Sequence, residues 1–250
     1  MFWNNKEKQK TNKYSFVVEC YAEKIKTQRS NIIFGYPSLI TFFGYITKTL
    51  IDIDFYKKPP ELIVTIEEFD YANFYQRSEK NREDGLGYIK FRILVDFETD
   101  KEIDNYEEME EKMEKAFFFN RFSGGIVRYV NVVLFREGVK KENKLKFLLP
   151  GYLIQENKTP ITDLDDLLAE TLDTKKIGNF VNISGYNFVS NISKNITESN
   201  FKEVYVEPIY KLYTLKVLKN DIISEVRGFK YKEDLNSLKI IQKEKEYINE

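Results

Sequence analysis

The chain has 250 residues with 42% apolar and 15% aromatic content, enough for one large folded domain or two small ones. Lys and Arg total 39 against 40 Asp and Glu, a net charge of -1, so no global field draws the chain to nucleic acid and any such binding must use local basic patches. With no histidine and one cysteine, a disulfide framework, Ser-His and Cys-His chemistry and most metal centres are excluded.

Lys6, Lys8, Lys10 and Lys13 make residues 1–13 a basic lead-in, expected to be disordered. That stretch lacks the apolar core of a signal peptide. The longest apolar run, Ile32 to Ile46, is too short for a bilayer and contains Pro37, so the expectation is a cytoplasmic chain with no membrane partner. In that compartment the Asn-x-Ser/Thr sequons at Asn182, Asn191 and Asn195 carry no glycans.

Tyr14 to Ala22 alternates, with Phe16, Val18 and Cys20 on one face, which predicts a half-buried strand. A loop with Lys24, Lys26 and Arg29 follows. Leu39, Ile40, Phe42, Phe43, Ile46 and Leu50 then recur at helical spacing after Pro37, so a helix starts near Ser38. Lys57-Lys58-Pro59-Pro60 breaks it, and Leu62 to Phe69 reads as a second strand. Gln76 to Gly85 is polar and ends in Asp84-Gly85, a hairpin loop signal. The third strand, Gly87 to Phe97, has one apolar face and one carrying Tyr88, Lys90 and Arg92, read as a solvated face. Ile103, Tyr106, Met109, Met113 and Phe117 define an amphipathic helix.

Arg121-Phe122-Ser123-Gly124-Gly125-Ile126-Val127 joins that helix to a fourth strand, Ile126 to Phe135. Adjacent glycines give up packing and backbone entropy, which points to positive φ or a close backbone contact. With a hydroxyl and a guanidinium beside them, they make a phosphate cradle; the alternative is a Gly-Gly cap ending the helix. The element order β-α-β-β-α-β predicts an α+β fold, an RRM/ferredoxin-like domain over residues 14–140, with both helices on one face of a four-stranded sheet and the other face open to a ligand. Residues 141–250 read as a partly β elaboration packed on that core. It has strand candidates at 145–154, 185–190 and 204–218, an acidic helix capped by Thr162-Asp163, and a charged tail helix over Glu233 to Ile248.

Ile33-Phe34-Gly35-Tyr36-Pro37-Ser38-Leu39-Ile40-Thr41-Phe42-Phe43-Gly44 resembles the first-helix motif of the Csy-two type subunit, the Cas-five-f family, of type I-F CRISPR effector complexes. Arg121 to Ile126 resembles the glycine motif of that family, and Gly185 to Ser190 with Val206-Glu207-Pro208-Ile209-Tyr210 resembles its C-terminal pattern. The motifs agree in order over residues 14 to 215. The resemblance implies a RAMP-superfamily subunit that is not a nuclease and holds the 5′ handle of the crRNA in a Cascade-like antiviral complex. The partners implied are the crRNA, a large subunit, backbone subunits of the same complex, and target DNA near the protospacer-adjacent motif. The chain departs from the family pattern in being compact, lacking histidine and carrying no net positive charge.

The residues assigned to RNA are Lys24, Lys26, Arg29, Ser38, Arg121, Ser123, Gly124, Gly125 and Arg128. In the expected topology the helix start at Ser38 and the glycine turn meet at one end of the sheet. No catalytic residue, metal or cofactor is assigned. Two alternatives stand beside this reading: a metal-independent endoribonuclease of the same superfamily, which without histidine would rely on Tyr and Lys, and a protein-interaction module. The acidic runs Glu67, Glu68, Asp70 and Asp163, Asp165, Asp166 read as solvated faces.

Overall fold

The computed structural model describes residues 11–26, 28–29, 34–77, 82–172, 178–188, 206–219, 226–234 and 237–243. Most of the basic lead-in, the sequons at Asn191 and Asn195, and the last two residues of the Gly185–Ser190 motif lie outside them. The elements are β1 (Asn12–Lys26), β2 (Gln28–Arg29), β3 (Phe34–Gly35), α1 (Leu39–Asp52), β4 (Glu61–Arg77), β5 (Arg82–Thr99), α2 (Tyr106–Phe119), β6 (Ile126–Phe135), α3 (Lys141–Leu145), β7 (Tyr152–Glu156), α4 (Leu164–Leu172), β8 (Asn179–Phe188), β9 (Val206–Val217), β10 (Phe229–Asp234) and β11 (Ser237–Gln242).

Nine of these strands form one antiparallel sheet in the order β10-β11-β8-β9-β7-β4-β5-β1-β6. This overturns the expected RRM/ferredoxin-like α+β class: the described residues form mainly a large antiparallel sheet carrying four short helices. The four strands of the first half do lie side by side, as β4-β5-β1-β6. They do not end there, because the outer edge of β4 has backbone groups to satisfy. It pairs with β7 at Thr65 and Ile66 and touches β10 where Leu62 faces Phe229. The second half thus extends the sheet and brings its far end back against β4.

Alternation decides which face is buried. Phe16, Val18, Cys20, Ile89, Phe91, Ile93 and Val95 pack with Phe42, Tyr45 and Ile46 of α1 and with Met113 and Phe117 of α2 in one core, against which Met109 is half-buried. Ile154, Phe180, Tyr213, Phe229 and Ile240 of the second half belong to the same core. Helix α1 therefore has sheet on two sides: Phe42 meets Phe91 at 5.2 Å and Phe43 meets Tyr231 at 4.4 Å between ring centroids. A fully buried side chain of this size contributes roughly 1.5–3 kcal/mol.

The other sheet face is not open as expected. Val17, Ile63 and Leu94 are covered by Leu145, Leu148, Leu153, Leu218 and Val226. Next to this second core, Lys90 and Arg92 each pair with both Glu19 and Glu67 at 2.9–3.4 Å, and Arg92 also donates to the Pro150 carbonyl at 2.8 Å. Register puts the network there, since Glu19 stands directly opposite Arg92. The hydrogen bond from Lys90 to Glu67 holds the ammonium above its ordinary pKa.

Two further expectations are corrected. Asp84-Gly85 is not a turn: both residues lie within β5, facing Tyr75 and Phe74 of β4. Through Gln242, the described residues of the expected tail helix belong instead to the paired strands β10 and β11, in which Tyr231 faces Ile240 and Phe229 faces Gln242; residues 244–248 lie outside the described residues. The alternation of Phe229 and Tyr231, the latter reaching Phe43, outweighs the helical spacing of Leu235, Leu238, Ile241 and Tyr247 on which the expected helix rests. The acidic helix does form: Asp163 accepts from the Asp166 N–H at 2.8 Å.

The free edge of β6 is partly covered. Glu114 accepts from the Val132 N–H at 2.9 Å and Glu110 from the Leu134 N–H at 2.7 Å, both reaching across from α2.

Cys20 is fully buried, and that burial is the main cause that pushes its thiol up to about 12. The thiolate is the reactive form. The expected result is no labelling by iodoacetamide at pH 8 in the folded chain and complete labelling in denaturant; rapid labelling of the folded chain would contradict the burial.

Candidate nucleic-acid interface

At one end of the sheet β1 and the glycine turn clasp each other. A bulge between Glu23 and Ile25 breaks the register of β1, with Lys24 at φ 54°. The turn answers with Ser123 at φ 49° and Gly124 at φ 75°. The Lys26 N–H donates to the Ser123 carbonyl at 2.9 Å, and the Ser123 hydroxyl donates to the Lys26 carbonyl at 2.6 Å. Beneath them Phe122 is fully buried against the rings of Phe91 at 4.6 Å and Phe42 at 5.0 Å.

The two glycines have different jobs. A Cβ on Gly125 would stand 2.8 Å from the backbone nitrogen of Ile25 and closer still to the Glu23 carbonyl, so the residue is small because β1 passes over it. Its N–H donates to the Phe122 carbonyl at 2.8 Å. A Cβ on Gly124 would meet only the Lys26 side chain, at 3.7 Å or more. The Ser123 hydroxyl and the Gly125 amide, both expected to face phosphate, are thus spent, the first on holding the turn to the strand and the second on closing the turn itself. Nor does the turn cap α2, which ends at Phe119 with Asn120 as its C-cap.

What the clasp presents to solvent is positive charge. Lys24, Lys26 and Arg121 are exposed and pair with no carboxylate among the described residues. Arg128 differs, because its Nε donates to Glu23 at 2.9 Å across half-exposed side chains. Such a pair is worth about 0–1 kcal/mol and opens readily for a stronger anion. Arg29 lies in β2, and its side chain falls outside the described positions.

Ser38 sits elsewhere in the assembly. It caps α1, accepting from the Thr41 N–H at 3.3 Å. The preceding carbonyls of Tyr36 and Pro37 accept from the amide of Asn182, 3.2 and 3.3 Å away in β8. The helix start and the glycine turn are joined through Phe42 and Phe122, not through polar groups facing a shared ligand.

Three residues that sequence reading did not single out belong to this end. Tyr21 pairs with Tyr129 across β1 and β6, and its ring lies 6.0 Å from that of Tyr88. Tyr129 is 48% exposed. Partial burial, and then the neighbouring Glu23 carboxylate, raise the Tyr21 phenol above its ordinary pKa, so it remains a neutral donor. The third is Glu23 itself. The signal was present as alternation: Tyr21, Tyr88 and Tyr129 all occupy the strand positions that face away from α1. Aromatic rings beside unpaired cations are what single-stranded nucleic acid uses for stacking and phosphate contact.

No protein-family model matches the chain, and no curated protein does. Among the described residues, no helix is long and apolar enough to cross a membrane.

Proposed function

We propose that the chain is a non-catalytic crRNA-binding subunit of a type I-F CRISPR effector complex, working in the cytoplasm and holding the 5′ handle of the crRNA. One observation carries the reading: the motif stretches on which the resemblance rests, scattered over more than 170 residues, touch one another in the fold. Phe42 of the first-helix motif packs on Phe122 of the glycine motif. Asn182, three residues before the Gly185 motif, holds the Tyr36 and Pro37 carbonyls. Tyr186 and Gly185 face Pro208 and Ile209.

In this reading Lys24, Lys26 and Arg121 contact phosphates, with Arg128 recruited from Glu23, and Tyr21, Tyr88 and Tyr129 offer ring faces to bases. Val206, Tyr210 and Val217, each about half exposed along β9, supply apolar surface for the large subunit. The backbone subunits and the target DNA meet the assembled complex.

The test is crRNA affinity at fixed salt for the chain and its Lys24→Ala, Lys26→Ala and Arg121→Ala variants. Each is expected to weaken binding by about 1–3 kcal/mol and to shallow the salt dependence by about one counterion. Unchanged affinity in folded variants would move the site elsewhere, and salt-independent behaviour would favour a protein-interaction module. Cleavage of repeat RNA that is lost in Tyr21→Phe would establish the endoribonuclease instead.

A further inference from the structure

At the opposite end of the sheet, where β1 begins and β6 ends, lies a cleft of about 600 Å³, a size typical of small-ligand sites. It is lined by six cations, Lys13, Lys58, Arg136, Lys144, Lys230 and Lys243, and by only four carboxylates, in a chain whose net charge is -1. Glu98 takes both Lys13 and Lys58, and Glu61 takes Lys243. Asp96 accepts from the nearly buried Ser15 hydroxyl, and Ser15 in turn accepts from Lys144 Nζ at 2.8 Å.

This leaves Arg136, Lys144 and Lys230 without a carboxylate partner among the described residues, converging from the residue after β6, from α3 and from β10 on one concavity. Asp96 and Glu137 are the two lining carboxylates without a cation partner among the described residues, and six cations against four carboxylates leave an excess of about two positive charges. A phosphate monoester carries about -1.5 to -2 at neutral pH and matches that excess. We infer that this cleft is a phosphate-binding site, distinct from the cationic clasp at the other end of β1, that takes a terminal phosphate group. Lys144 is held ready by Ser15 and by the face of Phe135, 5.9 Å from its ring centre, while Arg136 supplies a fork that two phosphate oxygens can share. Such a phosphate has two sources, a free phosphorylated compound or the phosphorylated end of a nucleic-acid strand.

The experiment is calorimetric titration of the full chain, at low fixed salt, with inorganic pyrophosphate and with a short RNA carrying either a 5′-phosphate or a 5′-hydroxyl. Pyrophosphate is expected to bind, and binding is expected to fall about tenfold or more in Lys144→Met/Lys230→Ser. Because Lys144 also touches Ser15, the exposed Arg136→Gln serves as a second variant that leaves the packing alone; it too is expected to weaken binding by about tenfold. A phosphorylated RNA that binds more tightly than both pyrophosphate and its hydroxyl twin identifies a nucleic-acid end as the source. Equal or tighter pyrophosphate binding identifies a free phosphorylated compound. No binding of either phosphate-bearing probe, or binding unchanged in Arg136→Gln, overturns the inference. The variants Lys24→Ala and Lys26→Ala should leave pyrophosphate binding unaltered, so this site can fail while the handle site stands.

Discussion

A Gly125→Val chain is expected to lose about 3 kcal/mol or more of folding stability, measured by urea denaturation at pH 7. The added side chain has nowhere to go: its Cβ alone would stand 2.8 Å from Ile25, with the Glu23 carbonyl nearer still. Relief requires separating β1 from the turn, which breaks the paired Lys26 and Ser123 hydrogen bonds and lifts Phe122 from its aromatic pocket. Gly124→Asn is the control. Space is free at that position, and asparagine tolerates the positive φ, so the cost should stay near or below about 1 kcal/mol. Equal stabilities for the two variants would refute the division of labour. Handle-binding tests at this motif should therefore alter Gly124 and leave Gly125 intact.

The second large effect is expected at Arg92. Its side chain is 11% exposed and answers two carboxylates that are themselves 18% and 19% exposed. Arg92→Met leaves Glu19 and Glu67 facing Lys90 alone, and the Pro150 carbonyl loses its donor. Removing one partner from a buried ion network costs about 3–5 kcal/mol; some solvent reaches this one, so about 2–3 kcal/mol is expected. Replacing all four charges together, with Glu19→Leu, Glu67→Leu, Lys90→Met and Arg92→Met, should come within about 2 kcal/mol of the native stability, because nothing charged is left stranded. Denaturant midpoints read both. A loss below about 0.5 kcal/mol for Arg92→Met alone would mean the four charges behave as a solvated surface.

Much of the first half was legible in the sequence. The alternation in Phe16-Val18-Cys20 and in Ile89-Phe91-Ile93-Val95, the helical spacing before Leu50 and the cap at Ser38 each depend on neighbours close in the chain. The overall class was not, because it depends on where the edge of β4 finds its partners. Two backbone pairs at Thr65 and Ile66 recruit β7 from more than 80 residues away, and no local pattern announces that. The strand candidates at 145–154 and 204–218 each contain a proline; Pro150 lies just before β7, and Pro208 sits within β9 facing Tyr186. In the candidate site the cations could be read, but not what Ser123 and Gly125 do, since their partners belong to β1. Tyr21, Tyr88 and Tyr129 become a group only once register sets them side by side.

The glutamates of α2 that reach β6 bear on how the molecule behaves in a crowded solution. With 20 Phe and 17 Tyr, the chain has the composition of a sequence prone to stack into fibrils when strand edges are free. One end of its sheet is turned back onto β4 by the facing of Phe229 and Leu62. At the other end, Glu110 and Glu114 occupy N–H groups that an incoming strand would need, and place negative charge where that strand would lie. In Glu110→Ala/Glu114→Ala, light scattering on slow heating is expected to rise at a lower temperature than in the parent chain, even where the unfolding midpoint barely moves. An unchanged onset would mean that some other feature keeps copies of this chain apart.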